Sequence, residues 1–135
     1  MNRSTVSVCH CLKLIPISRV TKFVRIRSRV VIETLGAPDD AGAVPGTVTA
    51  SHTSENGLVK KKIAFERSDV SEKTANLLEA YKSSRLIATY IDESGLQRVA
   101  GSPSYPLTLD YSTEGGSFSV ILQGEDTAPD AFLAE

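Results

Sequence analysis

The chain lacks most of what would mark a specialised class. It has no Trp, one Met, two Cys and six Pro in 135 residues. Two cysteines exclude a disulfide-dense scaffold. No apolar run approaches the roughly 18 to 20 residues of a membrane-spanning helix, so no membrane partner is expected. Residues 1–15 contain no uninterrupted apolar stretch followed by a small-residue cleavage site, because Ser4, Thr5, Ser7, His10 and Lys13 break it up. Synthesis in the cytoplasm without export is the expectation. Neither a Walker pattern nor G-x-G-x-x-G is present, and there is no G-x-S-x-G elbow. Only two His are available as bases, so nothing specific supports an enzyme.

What is present is a core and a polarised charge. Leu, Ile, Val and Phe make up just over a quarter of the chain, which excludes wholesale disorder and is enough for one domain. The net charge of −1 conceals a balance of +6 over residues 1–62 and −7 over residues 63–135. The first thirty-two residues carry no acid, and from Glu114 onward there is no Lys or Arg. Such a chain can offer a basic face to nucleic acid or dock the basic part of one copy on the acidic part of the next. Alternatively, both sets are simply solvated.

Period-two alternation dominates. Val6, Val8, His10, Leu12 and Leu14 alternate with polar residues up to Pro16, as in a half-buried strand. A longer strand is expected from Arg19 to Leu35, with Val20, Val24, Ile26, Val30 and Ile32 on one face and Arg19, Arg25, Arg27 and Arg29 on the other. Residues 36–46 hold three Gly and two Pro and read as an exposed loop. A hairpin follows around Asn56-Gly57, whose Val59, Lys61, Ile63 and Phe65 share a face with Lys61 at its rim. The run Lys60 to Lys62 suits a strand edge, where charge discourages pairing with other chains.

One helix is indicated over 69–83. Asp69 and Glu72 have capping-box spacing, and Val70, Thr74, Leu77, Leu78 and Tyr81 form one stripe. Two further hairpins follow, across Glu93-Ser94-Gly95 and across Glu114-Gly115-Gly116, separated by a corner at residues 102–106. The expected fold is α+β and β-rich: an antiparallel sandwich or partly open barrel of about eight strands with one amphipathic helix. A single domain over 1–123 would carry an acidic tail at 124–135.

Three groups of residues are candidates for function. Arg25, Arg27 and Arg29, on one strand face, would stand about 6.8 Å apart, near the spacing of successive phosphates. Only Phe23 accompanies them, so base stacking lacks its platforms and nucleic acid is the less favoured partner. Asp39 and Asp40 in the loop, with Glu125, Asp126 and Asp130 in the tail, are candidate acidic docking groups. Cys9, His10, Cys11 and His52 are soft ligands, but no C-x-x-C occurs and His10 would point away from both thiols. Zinc would need His52 or a second subunit to join them, and no cofactor or metal is expected.

The segment ATYIDESGLQRVAGSPSYPLTLDYSTEGGSFSVILQG, residues 88–124, resembles a pattern of small proteins of Bacteroidetes prophages. The shared features are a strand ending at Asp92, a turn through Gly95, the Val99-x-Gly101-x-Pro103 corner and a glycine-tipped hairpin. That resemblance implies a non-enzymatic virion component from the tail or neck region, sheet-rich and forming rings or stacked tubes. Its partners would be further copies of itself or other virion proteins. No catalytic residue carries over. A small β-sandwich that binds a host protein, glycan or nucleic acid would share the same hairpins.

Overall fold

The structure, a computed structural model, describes residues 3–133. It is β-rich, with twelve strands among these residues in place of the expected eight. The strands are β1 (Arg3–Val8), β2 (His10–Pro16), β3 (Val20–Ile26), β4 (Arg29–Thr34), β5 (Asp39–Asp40), β6 (Thr49–Glu55), β7 (Leu58–Arg67), β8 (Leu86–Ile91), β9 (Gln97–Ala100), β10 (Thr108–Glu114), β11 (Ser117–Asp126) and β12 (Ala131–Leu133), with one helix, α1 (Glu72–Lys82).

They form two open sheets in a sandwich. The five-stranded sheet runs β1-β6-β7-β11-β10, and the seven-stranded sheet runs β3-β4-β12-β9-β8-β2-β5. Every pairing is antiparallel except β12 with β4. The main core lies between the sheets, built from Ile63, Phe65, Val120 and Leu122 on one side and Leu14, Leu86, Ala88 and Tyr90 on the other. A second cluster, with Ile15, Ile87, Val99 and Val30, lies on the other face of the seven-stranded sheet. The β3–β4 hairpin supplies its cover through Phe23 and Ile32, which is why the central strand β8 is buried on both faces.

The Asn-Gly turn forms as expected, with φ of 52° at Asn56 and 80° at Gly57. The helix begins later than expected. Its cap is Ser71, whose Oγ accepts from the Thr74 amide at 3.2 Å, because the Asp69 carboxylate is taken by Arg67 at 2.7 Å. Thr74, Leu78 and Tyr81 are buried, whereas Val70 and Leu77 lie in solvent. Contacts from Glu79 to Tyr111 and from Lys82 to Asp110 hold α1 beside β10.

Several expectations need correction. The first alternating run is two strands in different sheets. Cys9 is the joint, donating its amide to the Val48 carbonyl, and a bulge at Cys11 with φ of 53° resets the alternation. Val6, Val8 and His10 therefore face solvent, while Cys9, Leu12 and Leu14 are buried. The long strand from Arg19 to Leu35 is a hairpin folded at Arg27-Ser28. The 36–46 loop is partly docked, because β5 pairs with β2 and Ala41 is buried. β7, which carries the lysine run, lies between β6 and β11 and is no edge. The acidic segment is not a free tail. Residues 124–126 complete β11, and β12 slots between β4 and β9 because Ala131 joins the second cluster.

Candidate functional site

The β3–β4 hairpin gathers Arg25, Arg27 and Arg29 at its tip, but not as a comb. Arg25 is directly opposite Val30 and so shares the inner face with Phe23 and Ile32, where its Nε donates to the Arg27 carbonyl at 2.9 Å. Arg27 occupies the turn with φ of 59°, and Arg29 starts the return strand opposite Ile26. The regular phosphate-like spacing is lost. None of the three forms an ion pair among the described residues. On the outer face, Val24 lies opposite Val31 beside Ile26, exposed by 38%, 37% and 66%.

The acidic candidates divide differently. Asp39 is engaged within its own chain: Arg19 Nη1 donates to it at 2.9 Å and the Tyr81 hydroxyl at 2.8 Å. The Arg19 contact is the larger reason its carboxyl lies below the ordinary value. Asp40 is exposed and accepts from the Gly42 amide at 2.8 Å. Glu125 is exposed opposite Lys60. Asp126 and Asp130 are engaged within the chain, because both face Lys61, at 3.5 and 2.9 Å.

That lysine is the polar centre that sequence reasoning placed at the rim. Its residue is only 5% exposed. The Tyr90 hydroxyl donates to Asp130, and burial first, then the Asp130 charge, pushes the phenol well above its ordinary value. Arg98 donates to the Asp130 carbonyl at 2.6 Å, pairs with Asp92 at 3.4 Å and stacks on Phe132 at 4.3 Å. The signal for Lys61 was its phase between Val59 and Ile63 on an inward face, a position a lysine occupies only when paired.

A cleft of about 360 Å³ opens beside this cluster, between the hairpin arm, the corner at 101–105 and the end of β11. Arg25, Lys61, Ser102, Tyr105 and Asp126 contribute to its walls. A second hollow of about 320 Å³ is lined by Cys11, Ile15, Ile32, Ile91 and Leu133 among others. The soft ligands do not converge: Cys9 is buried with its thiol towards the Ser7 carbonyl, while Cys11 is exposed beyond the bulge. Among the described residues no group of three or more His, Cys, Asp or Glu is arranged to hold a metal ion. No helix there is long and apolar enough to cross a membrane.

In comparisons with known proteins, no family model, curated protein or solved structure matches this chain.

Proposed function

We propose that this chain is a non-enzymatic structural subunit that associates with copies of itself into a ring or tube, of the kind that forms the tail or neck of a phage-like particle. The observation that carries the reading is the β3–β4 arm. It combines three arginines without ionic partners among the described residues with an exposed apolar strip of Val24, Ile26 and Val31. An exposed apolar strip rimmed by charge is characteristic of a contact surface. Covering it would contribute at about 25 cal/mol per Å² of apolar surface, and the arginines would set orientation and rate of encounter. The turn pattern of residues 88–124 and its resemblance to prophage virion proteins support the same reading. Because Asp39, Asp126 and Asp130 are spent internally, the acidic side of the contact rests on other residues.

Light scattering after size exclusion, at low and high salt, tests this. The expected result is a discrete oligomer or polymer that weakens as salt screens the arginines. A strict monomer at every salt and at high protein concentration overturns it. That outcome would favour a small binding module instead, for which the mainly apolar hollow around Ile15 and Ile32 is the supporting feature.

A further inference from the structure

Basic and acidic features lie at opposite ends of one strand. β11 begins at the Glu114-Gly115-Gly116 tip, where Glu114 pairs with Ser117, and ends at Asp126, in the wall of the cleft that Arg25 also lines. Ten residues of strand separate the two ends by about 30 Å. We infer that the acidic tip at Glu114 of one copy docks in the Arg25 cleft of the next, a head-to-tail contact that repeats along a ring or tube. This rests on the self-association reading above and names the two surfaces that carry it.

Three observations select this occupant. First, charge is complementary. Arg25 is the cleft cation with no carboxylate on it, since Asp126 is turned to Lys61, while Glu114 is exposed and forms no ion pair among the described residues. Second, the tip is narrow, because Gly115 and Gly116 carry no side chain and have open space where one would stand. A cleft of about 360 Å³ is at the small end of ligand-sized pockets, a size suited to a turn. Third, the other hairpin turns that carry a glutamate are unsuitable. Glu55 flanks a turn at the cleft's own end of the sheet, and Glu93 accepts from the Val8 amide at 2.9 Å. Donor and acceptor surfaces that differ and lie far apart make a heterologous contact, which closes into a ring or continues as a filament.

Reciprocal charge reversal is the test, read by sedimentation velocity at low salt. Arg25→Glu alone and Glu114→Arg alone are each expected to weaken association by about tenfold or more, because like charges then meet. A one-to-one mixture of the two variants, or the double variant, is expected to restore it. Arg25→Gln and Glu114→Gln, with circular dichroism to verify folding, serve should either reversal perturb the fold, and each should weaken association by less. If the oligomer is indifferent to both reversals, or is lost without recovery in the mixture and the double variant, the docking is wrong while self-association stands. If the unmodified chain is monomeric throughout, self-association fails and the docking with it.

Discussion

Lys61 Nζ lies 2.9 Å from Asp130 Oδ1, and that contact ties the two sheets together. Lys61 belongs to β7 in the five-stranded sheet, and Asp130 immediately precedes β12 in the other. With Asp126 at 3.5 Å, one ammonium faces two carboxylates at a site that is nearly closed to water. Removing one side of a buried ionic cluster costs more than the cluster contributes, because the remaining charge is stranded. Lys61→Met, which keeps most of the stem, should cost about 3–5 kcal/mol in urea unfolding. Adding Asp126→Asn and Asp130→Asn should recover most of that loss. A Lys61→Met protein as stable as the parent would mean that the cluster is open to solvent.

Arg27 holds φ of 59° at the first central position of a two-residue turn, where glycine is the usual occupant. A non-glycine residue there costs about 1–2 kcal/mol, partly offset on substitution by the backbone entropy of glycine. Arg27→Gly should therefore leave the fold as stable or raise stability by up to about 1 kcal/mol, and should weaken self-association by removing a tip charge. Thermal melts and sedimentation measure the two effects separately. A clear loss of stability would show that the turn does not strain this residue.

The two thiols should behave differently. Cys9 is buried, and desolvation raises its thiol above the ordinary value, whereas Cys11 is exposed. An aromatic disulfide reagent should modify one thiol rapidly at neutral pH and the other only as the protein opens. Cys11→Ser should abolish the rapid phase. Equal rates for both would place Cys9 outside the core.

Acid should loosen the fold in a defined window. The Asp69 carboxyl is lowered from 3.8 to about 2, chiefly by its hydrogen bonds from Arg67, with Thr74 adding to the effect, and Asp39 is lowered by Arg19. A depressed carboxyl binds its proton less readily in the folded chain. The stability it contributes is therefore fully present above about pH 4 and is lost as pH falls towards 2. The urea midpoint should decline across that window, and Asp69→Asn should make the decline shallower. An undiminished slope in that variant would remove Asp69 from the account.

Local chemistry made part of this legible in the sequence. Asn56-Gly57 announced its turn, and the alternation Val59-Lys61-Ile63-Phe65 announced an inward face. The depth of Lys61 was not legible, because Asp126 and Asp130 reach it only through pairing of β7 with β11 and the turn that follows. Arg27-Ser28 contains no Gly, Pro, Asn or Asp, and Ser28 is only a weak turn signal, so two short strands read as one long one and three arginines as a row. Cys9 likewise gives no glycine or proline to mark where the chain leaves one sheet for the other. Phe132 and Leu133 are apolar residues in an acidic segment, yet only the gap between β4 and β9 explains where they go.

That gap has a consequence for how the molecule is made. Among the described residues, β12 is the only strand joining the β3–β4 arm to the rest of its sheet through ladder hydrogen bonds. During synthesis, the arm leaves the ribosome early and must wait for residues 131–133 before its inner neighbour exists. Until then Val30 lacks Leu133 beside it, and the cluster that the arm covers lacks Ala131. On the self-association reading, the contact surface is thus complete only once β12 has docked, so a subunit in which that strand is still unpaired is poorly prepared to join an assembly.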